Sequence, residues 1–211
     1  GILTGHFPSR EAQRALVEAA RPAVRGEIQD ATRLAEGAPP GDWLAAARLA
    51  VEAMARLERG AATLTDRQLE VAGVARDDEA LASVEALLAA GLPNGFGAKT
   101  ALSTELDESL KGEALADAAG CQGLFDSVTR VASPEFVFDG PALFGHQRRL
   151  FERLAAAARR CRAFVLEIGA HSSGIGDPDA ARAVSERWAE AVAEALERVG
   201  AERARLRVAG F

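Results

Sequence analysis

The 211-residue chain can hold one large domain or two to three small ones. Nearly half its residues are hydrophobic, much of that alanine, while 5% are aromatic and tyrosine is absent, a composition that favours helices. A net charge of −6, with Lys99 and Lys111 as the only lysines, argues against nucleic acid, and no apolar run approaches the roughly 20 residues of a membrane span. No secretory leader is visible. Because the chain opens at Gly1-Ile2-Leu3 inside a predicted strand, it is expected to be a fragment from which a leader or anchor could have been removed.

The first half carries a faint internal repeat. Leu3-Thr4-Gly5-His6-Phe7 followed by Ser9-Arg10-Glu11-Ala12 parallels Val71-Ala72-Gly73-Val74-Ala75 followed by Asp77-Asp78-Glu79-Ala80. In both copies a strand passes through Gly, and a capping residue (Ser9 or Asp77) opens a helix. A strand follows each helix, at Glu27–Leu34 and Phe96–Ser103. The second copy is more complete. Asp42 can cap a helix reaching about Glu58, with Leu44, Ala47, Val51, Met54 and Leu57 on one face. Strands at Ala62–Thr65 and Gln68–Ala75 come next, joined by Asp66-Arg67.

Residues 105–120 read as a polar linker becoming helix. Cys121 falls in that helical stretch. Phe136 and Phe138 alternate in a strand, Pro-Glu-Phe-Val-Phe. Leu143, Gln147, Leu150, Phe151, Leu154 and Ala158 share a helix face, and Cys161 ends that helix. Phe164, Leu166 and Ile168 alternate in a second strand. Pro178 opens a helix to about Val199, Gly200 ends it, and Arg205–Gly210 forms a third strand. His6 and His146 read as surface or turn residues, and the pairs Arg148-Arg149 and Arg159-Arg160 as solvated helix faces.

The order helix, strand, strand, helix, strand over 38–104 resembles the BON module, a small αββαβ domain of bacterial envelope proteins. Residues 1–37 resemble part of another. Residues 121–211 resemble the OmpA-like domain, whose core pattern is a strand ending in G-H-T-D, a loop Gly, and N-x-x-L-S-x-x-R-A on a helix. The resemblance rests on Gly169-Ala170-His171-Ser172, Gly176 and the helix Val184-Ser185-Glu186-Arg187-Trp188-Ala189-Glu190-Ala191-Val192. The fold class it implies is α+β, with tandem αββαβ BON-like modules (1–37 partial, 38–104) and an incomplete βαβαβ OmpA-like module (121–211). The family pattern adds a further helix and strand beyond the point where this chain stops at Phe211, and that strand would be a core element of the sheet.

The resemblance further implies a periplasmic, cell-envelope protein, associated with the outer membrane and peptidoglycan, that needs no cofactor. In the family an Asp and an Arg grip the charged end of a diaminopimelate side chain, the Arg bidentately. Laid on that pattern, His171 keeps its place and Ser172 stands for Thr. Ser173 replaces the Asp, while Gly176 and Ser185 are kept. Ala181 and Val184 replace Asn and Leu, and Trp188 replaces the Arg. Hydrogen bonds to charged groups contribute about 1.5–3 kcal/mol each. Losing both anchors therefore weakens stem-peptide binding by roughly two to four decades. Asp177, Asp179 and Arg187 are candidate substitutes, although one residue along a helix turns Arg187 by about 100° from Trp188.

His171 reads as a structural residue at a strand end. Trp188 reads as packing on the sheet or filling the old pocket, with a partner-binding anchor as the sharper alternative. In an oxidising periplasm Cys121 and Cys161 are expected to pair, the other fate being two buried thiols. Neither has a second ligand at zinc spacing. No nucleophile elbow or phosphate loop is present, so catalysis is not expected. Two readings stay open: a structural or protein-interaction module that has lost peptidoglycan binding and has an envelope protein partner, or a peptidoglycan anchor using a shifted site.

Overall fold

Each strand–helix turn of the repeat forms around a capping side chain. In the computed structural model, which describes residues 1–24, 26–37, 39, 41–136, 147–172 and 177–211, β1 (Ile2–Phe7) runs into Ser9. Its hydroxyl accepts from the Ala12 N–H at 3.1 Å and starts α1 (Arg10–Ala20). β2 (Gln29–Leu34) then returns parallel to β1. Asp42 caps α2 (Trp43–Ala55) in the same way, accepting from Ala45 N–H at 3.3 Å.

β3 (Arg59–Thr65) and β4 (Gln68–Ala75) pair antiparallel across a two-residue turn. Asp66 takes the left-handed conformation there, at φ 52°, which a short polar side chain tolerates. Asp77 caps α3 (Asp78–Gly91) through Ala80 N–H at 2.8 Å, and β5 (Gly97–Thr104) pairs parallel to β4. The three-stranded sheet has the order β3-β4-β5. β1–α1–β2 and β4–α3–β5 are thus the same parallel crossover, as the repeat requires.

The chain divides into two compact units, Gly1–Glu108 and Ser109–Phe211. α2 works on two sides of the first. Leu49, Ala50 and Ala53, with Leu57 just past the helix end, pack with Leu69, Val71, Leu81, Val84 and Leu88 over the three-stranded sheet. Ala47, with Trp43 and Val51, meets Phe7 and Leu16. The rings of Phe7 and Trp43 meet edge-on at 5.3 Å. The single apolar face expected for this helix is therefore wrong in detail. Leu44 and Met54 are only half-buried, and small alanines fill the buried side because the helix has neighbours on two sides.

Residues 105–120, read as a polar linker becoming helix, contain the boundary between the two units, at Glu108 and Ser109. α4 (Glu105–Ser109) follows Thr104, and Thr104 N–H donates to the Asp107 carboxylate at 2.9 Å while Asp107 N–H donates back to the Thr104 hydroxyl at 3.2 Å. Leu110 is buried. Arg160, expected on a solvated face, instead donates to the Ser109 and Glu113 carbonyls at 2.6 and 3.0 Å.

In the second unit α5 (Ala118–Val131) is joined to the end of α6 (Arg148–Arg160) by the expected Cys121–Cys161 disulfide, with Cα atoms 5.7 Å apart. β6 (Leu166–Ala170) and β7 (Leu206–Gly210) pair in parallel around the crossover helix α7 (Pro178–Arg198). Arg205 ties this sheet to α6. Its guanidinium donates to the carbonyls of Ala158 at 2.9 Å and Cys161 at 3.0 Å, which the helix end leaves open. The expected strand residue Phe138 and helix residue Leu143 lie outside the described residues, as does His146. The architecture is mixed α+β. Among the described residues no helix is long and apolar enough to cross a membrane.

Candidate functional site

The residues singled out in the sequence sit where β6 ends and α7 begins. β6 is built by alternation, with Leu166, Ile168 and Ala170 half-buried and Glu167 and Gly169 exposed. Past its end the ladder continues: Phe211 N–H donates to the Ala170 carbonyl at 2.9 Å, and Ser172 N–H donates to the Phe211 carbonyl at 3.1 Å. The His171 ring stacks on Phe211, with centroids 4.9 Å apart and planes 20° apart. His171 thus closes the strand end by ring packing. Among the described residues the buried Ser172 hydroxyl oxygen has no hydrogen-bond partner. Ser173 and Gly176 lie outside the described residues.

α7 begins at Pro178, with Asp177 as its cap. The Asp177 carboxylate accepts from the Asp179 N–H at 3.1 Å, and Asp179 adds a second negative charge to the first turn. Both side chains therefore serve the helix N-terminus, while remaining exposed. Ser185 is fully buried, and its hydroxyl donates to the Arg182 carbonyl one turn back at 2.9 Å. It lies where α7 crosses β7. A Cβ added at Gly210 would stand 2.5 Å from the Glu186 backbone nitrogen and 2.6 Å from the Ser185 hydroxyl oxygen. Only glycine allows so close an approach of helix and strand. Arg187 is exposed.

Trp188 is half-buried and stacks on Phe136, with ring centroids 5.5 Å apart and planes 23° apart. Around these rings runs an open, mainly apolar groove of about 860 Å³. Phe125 of α5, Phe136, Trp188 of α7 and the run from Phe164 to His171 line it. The structure thus brings His171 and Trp188 to one groove. Ser185 is packed under the helix, and Asp177 and Asp179 are at its N-terminus. The aromatic partners Phe125 and Phe211 escaped sequence reading. Phe136 was placed in a strand by its alternation, but nothing in that alternation said that Trp188 would stack on it.

Nearby charges are used in the scaffold. Arg203 holds Glu190 with two hydrogen bonds from Nη2, at 2.6 and 2.8 Å, and Arg182 pairs with Glu186 at 3.3 Å. Among the described residues no three His, Cys, Asp or Glu side chains gather as metal donors. The groove can therefore offer apolar contact, ring faces and backbone hydrogen bonds. The chain matches no protein-family model and no curated protein.

Proposed function

We propose that this chain is a non-catalytic protein of the bacterial cell envelope, facing the periplasm. On this reading tandem BON-like modules precede an OmpA-like module that serves as a structural or protein-interaction element, with peptidoglycan binding weakened or lost. Trp188 carries the proposal. At the position where the OmpA-like pattern places a guanidinium, the side chain is uncharged and its ring is packed on Phe136. Trp has one N–H donor and cannot clamp a carboxylate.

Three further observations support it. Residues 43–104 run helix, strand, strand, helix, strand, with an antiparallel hairpin and a parallel third strand. The Cys121–Cys161 disulfide suits an oxidising compartment. The candidate substitute Asp177 is engaged as a helix cap, and Arg187 is exposed, one residue along from the Trp188 position.

The test restores the family's charges. The double change Ser173→Asp, Trp188→Arg should create binding to diaminopimelate-type peptidoglycan where the unmodified protein has none. If the double variant binds no better than the parent, the site's loss of charge is not what separates this chain from a peptidoglycan binder.

A further inference from the structure

α5 fixes Cys121 poorly by its own packing, since only Cys121 and Val128 of that helix are buried. The chain just before it is held instead. Arg160, the residue before Cys161, donates from Nη1 to the Ser109 carbonyl at 2.6 Å and from Nε to the Glu113 carbonyl at 3.0 Å. Between those two carbonyls Gly112 takes φ 120°, a conformation that favours glycine, and a Cβ there would stand 3.8 Å from the Arg160 Cζ. The Leu115 N–H in turn donates to the Arg160 carbonyl at 2.7 Å. Residues 109–115 are thus wrapped around one guanidinium.

A short path leads from this clamp to each sulfur. The Asp117 carboxylate accepts from the Gly120 N–H at 2.6 Å and starts α5, which places Cys121 in the first turn. Cys161 follows Arg160 directly in the chain. The clamp therefore closes the same long loop that the disulfide closes, and a loop already closed leaves little entropy for the second closure to remove. Bonds from a guanidinium are of the stronger, charge-assisted kind. None of these contacts involves sulfur, so the dithiol form can make them all.

We propose that Arg160 is the positioning residue of a reversible dithiol–disulfide couple. Its clamp holds Cys121 opposite Cys161 in a reduced unit that stays folded, so the pair opens and closes with the redox poise around it. The co-reactant is a second disulfide. Cys121 lines the groove, and its thiolate attacks the incoming disulfide, which forms a mixed disulfide and releases one thiolate. The Cys161 thiolate then attacks the Cys121 sulfur and releases the other. Two electrons pass from the cysteine pair to the co-reactant, and the two protons end on the released thiols. The couple is independent of peptidoglycan binding.

The probe is glutathione. The full chain is equilibrated at a series of glutathione thiol-to-disulfide ratios, quenched with acid, alkylated and weighed. The reduced parent should keep its near-ultraviolet circular dichroism. Arg160→Ala should lower the equilibrium constant for disulfide formation by about tenfold, the scale of the lost charge-assisted bonds. Asp177→Ala, which removes the α7 cap in the same unit, should leave that constant within about twofold of the parent. Equal falls in the two variants, no fall in Arg160→Ala, or a reduced parent that unfolds would each overturn the proposal. Hydrogen exchange decides the matter even where Arg160→Ala does not fold. In the double variant Cys121→Ala, Cys161→Ala, the Leu115 amide should stay protected, because its partner is the Arg160 carbonyl. A Leu115 amide that exchanges as in an unfolded chain, beside protected α7 amides, would show that the clamp needs the disulfide and overturn the proposal.

Discussion

Reduction of the Cys121–Cys161 disulfide should cost the second unit about 4 kcal/mol. The bond joins residues 40 apart in sequence, and the loop-entropy relation for that span gives about 13 cal/mol/K, or about 4 kcal/mol at 25 °C. The structure gives α5 little else to hold it: only Cys121 and Val128 of that helix are buried. Against a domain stability of about 5–15 kcal/mol, the loss is large. The two tryptophans provide one probe for each unit, Trp43 in the first and Trp188 in the second. Urea unfolding of Trp43→Phe, read by Trp188 fluorescence with and without reductant, isolates the effect. With a slope of about 1.5 kcal/mol/M, the midpoint should fall by roughly 2.5 M. The Trp43 signal, read in Trp188→Phe, should not move, because both cysteines lie in the second unit. A Trp188 transition unmoved by reductant would refute the reasoning, since the bond would then restrain nothing that unfolds.

Three other outcomes follow from the packing. Gly210→Ala forces a Cβ against the α7 backbone and should destabilise the second unit by about 1–3 kcal/mol in thermal melts; an unchanged melting point would mean helix and strand are not so close. Leu69→Ala, at a fully buried position of the first unit, should cost about 2–5 kcal/mol by the Trp43 signal and leave the Trp188 signal alone. Asp77→Ala should lower the melting point of the first unit at neutral pH through the lost α3 cap. The hydrogen bond from Ala80 N–H holds the Asp77 carboxyl below the usual carboxylate range. Its contribution is therefore present above the unfolded value of about 3.9 and is lost as pH falls through the lowered folded value. Denaturation of the two proteins should converge in that acid range, and a gap that persisted to about pH 2 would show that the carboxylate is not the cap.

Much of the fold was legible because its signals are local. Ser9, Asp42 and Asp77 each cap the helix they were expected to cap. The turn at Asp66-Arg67 joins the expected strands, and Pro178 and Gly200 bracket α7. What failed depended on neighbours that no local pattern encodes. The buried side of α2 was misread because the helix packs on two sides, and the role of Arg160 because the carbonyls it binds lie far along the chain. The candidate site was legible as a loss of charge at Trp188. What that ring does instead depends on Phe136, 52 residues earlier, which alternation alone cannot bring to it.

Co-sedimentation of the unmodified chain with purified diaminopimelate-type peptidoglycan, beside an intact OmpA-like domain as positive control, tests the central claim most directly. The account predicts that the chain stays in the supernatant while the control pellets. Protein in the pellet, released by free stem peptide, would contradict it and point to Asp177, Asp179 or Arg187 as having taken over the charged roles.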